Sequence, residues 1–442
     1  MRFNYKTIFH VLFGLFLIAL PFSKGIVSVA YVGLLVVSLV GIVVGRSAFY
    51  ESIILKQILL PVFILIGTLG ISLLYSEDIN EGLKILLSQS KMIGIPLILA
   101  LNADLIRKRY CHYVFIFIRG VAIAACITIL FFCLPASVVQ TLSNTTGFLQ
   151  EYIVHEKAYA FGGYSPFIDR LQFSYLIVVA FFLECWSTYH LTPPKNFPYL
   201  PINFHSSILL IALVILGARG AQLGFLLGIG IWIVGIYLQY GHPKMAAQKG
   251  SAISYLILIG GLVCTTVLLP FVAYQTIPTL QERYDQLKWE IGTYQDGTIQ
   301  NYEYTHFTSI RRLLSWKHSW ELIQAQPLLG TGIGDYRLEL EEAYAKDQLT
   351  IPVHTQSQFL FYWVSSGILS FLVFIGLLGY WLLQGIQQNQ YWKKVLFISL
   401  FAFYILVLLL DAPLNFQVGA MTFWWIYSFL LIREDVFIFE IP

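Results

Sequence analysis

The sequence predicts an all-α integral membrane protein with about twelve transmembrane helices and a large helical extracytoplasmic loop between spans 9 and 10. Three observations predict it. Of 442 residues, 57% are hydrophobic and 12% charged, and the mean hydropathy is +0.72, whereas soluble domains carry roughly 25% charged residues. Many uninterrupted apolar stretches reach the roughly 20 residues that carry a helix across a ~30 Å hydrocarbon core. Lys and Arg also concentrate on alternate inter-span loops, the asymmetry that orients membrane proteins.

Apolar runs between polar punctuation place spans at 7–23, 26–45, 54–74, 83–101, 113–134, 168–187, 205–219, 221–240, 252–273, 358–383, 394–411 and 416–432. Arg2, Lys6, Arg46, Lys56, Arg107 to Arg109, Lys195, Lys244, Lys249, Lys393, Lys394 and Arg433 then share one side, which is the cytoplasm. The opposite loops are poor in cations apart from Lys24. An even span count puts both termini in the cytoplasm. The opening run after Met1–Lys6 has no small-residue cleavage site and reads as a retained first helix.

The whole chain, 1–442, reads as a single polytopic domain with two long outer segments, 135–165 and 274–357. Loops above about 15 residues are uncommon unless functional or disordered. The second segment is rich in Tyr, Trp and aliphatic residues, so it predicts a fold on the membrane surface. Within it Leu313, Trp316, Trp320 and Ile323 recur at helical spacing and predict one apolar stripe at the headgroup level. A second, acidic helix is predicted around 336–346, facing water.

Composition excludes several classes. A net charge of +3 without a basic run argues against a nucleic-acid partner. Cys111, Cys126, Cys133, Cys185 and Cys264 lie in or beside spans without metal-ligand spacing and read as small apolar fillers. There is no Walker loop, nucleophile elbow or metalloprotease His pair, so neither a metal site nor a cofactor is expected.

Polar residues that lipid should have removed are the informative ones, since a charge at mid-bilayer costs at least ~2.5 kcal/mol. Lys91, Arg119, Arg170 and Arg219 are such residues. Arg119 is close enough to the cytoplasmic end to snorkel. Arg219 falls in a tight outer hairpin, where its planar fork either binds phosphate oxygens or anchors at the interface. The outer loop adds Arg311-Arg312, the run Pro327-Leu-Leu-Gly330-Thr-Gly332-Ile-Gly334-Asp335, and His354 where the chain re-enters lipid. No strand precedes those glycines, so they predict a tight turn needing φ > 0 rather than a dinucleotide fingerprint. A neutral imidazole at His354 suits either a general base or a plain hydrogen-bonding role.

These residues resemble the O-antigen ligase and O-antigen polymerase superfamily of bacterial envelope glycosyltransferases. The resemblance rests on Arg312-Leu-Leu-Ser-Trp316, on the glycine run through Tyr336, and on Gln358-Phe-Leu leading to Gly367-Ile368. Gly217-Ala-Arg219-Gly220 and Lys91 with Pro96 are similar to further family positions. One departure stands out: relatives often carry His-Asn where this chain has Gln356-Ser357, and His354 lies two positions earlier.

The resemblance implies metal-independent, inverting transfer of a glycan from an undecaprenyl-pyrophosphate carrier at the periplasmic face of the inner membrane. Arg219 and Arg312 would hold the pyrophosphate and His354 would deprotonate the acceptor; Arg311, Lys91 and Arg170 are further anion-binding candidates. The acceptor is lipid A-core for a ligase, the favoured reading, or another carrier-linked glycan for a polymerase. A solute transporter is the rival from another class, although charges gathered at the outer mouth and the absence of a repeat disfavour it.

Overall fold

A chain in lipid has to satisfy its backbone polar groups internally, and apolar runs of this length do so as helices. A computed structural model describes residues 5–43, 59–134, 165–191, 203–240, 285, 288–292, 308–346 and 354–432. Among them there is no strand. The helices are α1 Tyr5–Ala19, α2 Lys24–Val43, α3 Leu60–Leu73, α4 Ile79–Ser88, α5 Lys91–Leu101, α6 Ala103–Arg107, α7 Tyr110–Cys133 and α8 Arg170–Leu191. They continue with α9 Phe204–Leu216, α10 Arg219–Tyr240, α11 Thr308–Ala325, α12 Tyr336–Lys346, α13 Gln358–Ile386, α14 Tyr391–Leu410 and α15 Gln417–Leu431.

Seven helical stretches among the described residues are long and apolar enough to cross a membrane: α2, α4 with α5, α7, α8, α10, α13 and α14. α1, α3 and α9 are shorter apolar helices. The predicted span at 252–273 and most of the first outer segment lie outside the described residues, as does Cys264. Cys111, Cys126, Cys133 and Cys185 are free thiols inside helices.

The bundle is organised around α8. Nearly all of its residues are buried, and it packs against α7, α9, α10, α14 and α15, which is why it tolerates the polar Arg170 and Glu184. Peripheral helices show the opposite pattern. On α2, Ile26, Val29, Val32, Val36, Leu39 and Val43 form an exposed apolar stripe. Water would penalise such a face, and lipid tails accept it.

Three departures from regular helix interrupt the bundle. Gly217 takes a left-handed conformation (φ 58°, ψ 30°) that caps α9, so α10 begins at once with Arg219. The α4–α5 stretch breaks at Gln89-Ser90, and Pro96 within α5 removes a further helical donor. α13 kinks at Gly367, whose φ of 76° and ψ of −173° are non-helical.

The glycine run explains that kink. Pro327 to Gly330 insert into it: Thr331 N donates to Val364 O (2.8 Å), Ile368 N to Pro327 O (3.2 Å) and Trp363 Nε1 to Pro327 O (3.1 Å). Backbone groups freed by the broken helix thus find partners, as burial demands. Gly330 and Gly332 have φ of 70° and 99°, so the predicted tight turn is what forms. Beyond it, Asp335 accepts from the backbone N–H of Glu77 and of Asp78 (2.8 Å each), and Gly334 N donates to Ser76 Oγ (3.1 Å). Arg337 adds an ion pair to Glu81 (2.8 Å). The turn therefore clamps the α3–α4 hairpin to the kink of α13.

The stripe predicted on α11 divides between two faces. Ile323 is buried together with Ile310, Leu314, Ser315, His318 and Ser319, whereas Leu313 and Trp320 are exposed. α11 lies between α12 and α13, so its protein-facing side is the 310/314/318 line. Periodicity finds an apolar face without saying what covers it. Trp320, left outside, meets Trp363 edge-on at 5.8 Å. α12 buries Tyr336, Leu340, Ala343 and Tyr344 and turns its acidic side outward, as predicted.

Candidate active site

Helix starts deliver the charged groups. Arg170 opens α8, Arg219 opens α10, and Arg311 and Arg312 stand near the beginning of α11. Arg312 lies within electrostatic range of Arg170, Arg219 and Arg311, and Arg170 is also within range of Arg219 and Arg311. All four are half-buried. Among the described residues none of them forms an ion pair.

That grouping is electrostatically incomplete. Like charges gathered under partial burial repel unless an anion joins them. Asp169 near Arg170, Glu290 near Arg219 and Asp411 near Arg311 offset part of the field. Arg219 Nη1 donates to Ser309 Oγ at 3.1 Å, which turns its fork toward the start of α11. Arg311 Nε is buried without a hydrogen-bond partner, and burial followed by the Arg312 charge pushes its pKa down. Planar forks with unmet donors suit phosphate oxygens.

His354 is fixed through its backbone rather than its ring. Its carbonyl accepts from the Ser315 hydroxyl and from Tyr344 OH (3.3 Å), while Trp316 Nε1 donates to Gln356 O at 3.0 Å. Arg312 and Trp316 thus occupy α11 in two capacities: one offers charge, the other pins the segment carrying His354. The exposed imidazole touches Phe416 edge-on (6.1 Å), and among the described residues its nitrogens make no hydrogen bond. Desolvation, then the charges of Arg337 and Arg311, hold its pKa below the usual 6.5, against the pull of Asp411. Such a ring is neutral at neutral pH and able to accept a proton.

Behind His354 lies a polar floor. Gln356 is buried at φ 49°, the sole non-glycine with positive φ among the described residues. Strained backbone of this kind persists where the surroundings over-determine it. Gln358, fully buried, accepts from Leu414 N (3.0 Å) and donates to Asn415 Oδ1 (3.4 Å), which Gln89 also reaches (3.1 Å). Asp411 accepts from Tyr175 OH at 2.7 Å and from Ala412 N at 2.8 Å.

The structure brings together Arg170, Arg219, Arg311, Arg312 and His354 from the sequence-predicted set. Lys91 stands apart: it follows the α4–α5 break and is not among the electrostatic neighbours of Arg170, Arg219, Arg311 or His354. Among the described residues no three His, Cys, Asp or Glu side chains gather as metal ligands. Sequence reading missed Glu290, Ser309, Tyr175 and Asp411. Asp411 had a readable signal, an acid at the end of an apolar run; Glu290 had none, being one acid in a long polar loop.

Comparison with known proteins converges on the same stretch of chain. No curated protein matches the sequence. Residues 204–375, which carry α9, α10, α11, the glycine turn, His354 and the kink of α13, match the family described as O-Antigen ligase. This match bears out, over residues 204–375, the resemblance read from the motifs, and the apolar helices are those of a multi-pass membrane protein.

Proposed function

We propose that the chain transfers a glycan from undecaprenyl pyrophosphate to lipid A-core, at the periplasmic face of the bacterial inner membrane, with inversion at the anomeric carbon. The observation that carries this reading is the group of four half-buried arginines, without an ion pair among the described residues, beside the imidazole of His354. The match of residues 204–375 to the O-Antigen ligase family supports glycosyl transfer in O-antigen synthesis.

The chemistry asks little of the protein. Pyrophosphate is already a good leaving group, so holding it in line and neutralising its developing charge lowers much of the barrier. Arg219 and Arg312 hold the pyrophosphate, with Arg170 and Arg311 completing the positive rim. His354 takes the proton of the acceptor hydroxyl as the oxygen attacks the anomeric carbon. The carbon–oxygen bond to phosphate breaks, and its electron pair leaves with the pyrophosphate. Guanidinium charge performs the role a divalent metal performs elsewhere, so the reaction proceeds without one. Lys91 serves as an outlying anion contact, on the strength of its place in a broken helix.

Envelope glycolipid profiles test the reading. Cells lacking the gene should accumulate carrier-linked polymer beside bare lipid A-core. Accumulation of single-repeat caps instead would assign the alternative, a polymerase whose acceptor is another carrier-linked glycan. An unchanged glycolipid profile would refute both.

A further inference from the structure

Two buried acids beside the arginines, Asp411 and Glu290, are left unused by the proposed reaction, and of these Asp411 already accepts from Tyr175 OH and Ala412 N with its two oxygens. Glu290 lies in the helical stretch 288–292 and is 0% exposed. One carboxylate oxygen, Oε2, accepts from Ser309 N at 3.3 Å and so caps the start of α11. Ser309 is also the residue that receives Arg219, so Glu290, Ser309 and Arg219 form a connected chain. The second oxygen, Oε1, is buried and has no hydrogen-bond partner among the described residues.

An ionised carboxylate is acceptor-only, and leaving a buried acceptor unsatisfied is costly. Proteins retain such a defect where something else completes it. What can complete it has to be a donor, and it has to arrive beside Arg219. On a carrier-linked glycan, the group one bond beyond the pyrophosphate is the first sugar ring, which carries hydroxyl or acylamino N–H donors. We infer that Glu290 Oε1 binds a hydroxyl or amide N–H of the sugar directly attached to the pyrophosphate, so that Glu290 reads the reducing-end sugar of the donor. This rests on the pyrophosphate reading of Arg219. Burial pushes the Glu290 pKa above the usual carboxylate range, although Ser309 and Arg219 oppose the shift. Protonation in mild acid would therefore weaken the same contact.

The test uses the full-length protein in detergent with synthetic polyprenyl-pyrophosphate-linked sugars, each lacking one hydroxyl or amide donor of the first ring. Glu290→Gln should raise the donor KM about tenfold to hundredfold, the range for a hydrogen bond to a charged group, with kcat less affected. One analogue should be comparably weak for the wild type and lose no further affinity in the variant, because both changes delete one contact. Additive losses for every analogue, or a wild-type KM in Glu290→Gln, would overturn the assignment. Should the variant fail to accumulate, the wild type decides alone: equal use of all the analogues refutes the contact. If the wild type turns over none of them, the transfer reading fails. Donor binding, followed by thermal stabilisation across the same series, then still tests Glu290 by the same pattern.

Discussion

At the scale of the residue, arginine and lysine differ at a phosphate by geometry more than by charge. Arg312→Lys keeps the positive charge but gives up the fork, so turnover should fall roughly tenfold to hundredfold, about one lost charge-assisted hydrogen bond. Normal turnover in both Arg312→Lys and Arg219→Ala, at normal protein levels, would remove the anion site. His354 yields a pH prediction with a definite sign. Its pKa is lowered, so the neutral, proton-accepting form persists into mild acid, and the acid limb of the rate profile should have its midpoint below 6.5. His354→Ala should reduce turnover roughly 10² to 10⁴-fold and leave donor binding nearly intact. Gln356→Ala should be milder on chemistry, since an amide accepts no proton near neutral pH. Loss of activity in Gln356→Ala with a tolerated His354→Ala would transfer the essential role to the strained Gln356. These residues were legible in the sequence to different degrees. Charges at span ends announced Arg170 and Arg219, because lipid leaves few ionisable groups in place without a reason. Glu290 was silent: its burial beside Arg219 depends on how a polar loop folds, which no periodicity records.

At the scale of the element, the glycine run is a clamp. A Cβ on Gly330 would sit 2.4 Å from Val364 O, and one on Gly367 would sit 2.0 Å from Leu328 O, both at positive φ. Steric overlap with backbone cannot be relieved by moving a side chain, and left-handed φ adds roughly 1–2 kcal/mol for any residue with a Cβ. Gly330→Ala and Gly367→Ala should each lower the detergent melting temperature and the steady-state protein level. Gly376→Ala is the control in the same helix, since a Cβ there meets nothing within 4 Å. It should be neutral or slightly stabilising, as alanine outranks glycine in a helix by about 1 kcal/mol. Equal melting temperatures for all three variants would show that the turn does not hold the kink. The turn itself was legible, because three closely spaced glycines after a proline have few other uses. Its two docking partners were not. Ser76 to Asp78 and Gly367 lie far from it in sequence, and only the fold shows that Asp335 reaches one and Leu328 the other. The stripe on α11 was half legible for a related reason, since an apolar residue satisfies lipid and protein neighbours alike.

At the scale of the whole molecule, topology decides whether this site can meet a donor delivered to the outer face. Composition made the helices plain, and described helices coincide with eleven of the twelve predicted spans, some of them shorter than a full crossing. Which side each loop faces is a separate inference, drawn from Lys and Arg placement. α13 provides the ruler. It runs 29 residues from Gln358 to Ile386, about 43 Å at 1.5 Å per residue, which exceeds a ~30 Å hydrocarbon core even with a kink. A crossing by α13 would put its two ends on opposite faces: the end beside His354 and α12, and the end at Gln387. The cation rule puts Gln387, a few residues before Lys393 and Lys394, in the cytoplasm. In a cysteine-free background, a cysteine at the exposed Glu341 of α12 should react with a membrane-impermeant maleimide in cells whose outer membrane has been permeabilised. A cysteine at the exposed Gln387 should react only after the inner membrane is also opened. Labelling of both from one side would contradict the crossing by α13. Labelling in the reverse order would keep the fold but invert it, placing the arginines and His354 in the cytoplasm, where carrier-linked glycan delivered to the outer face could not reach them.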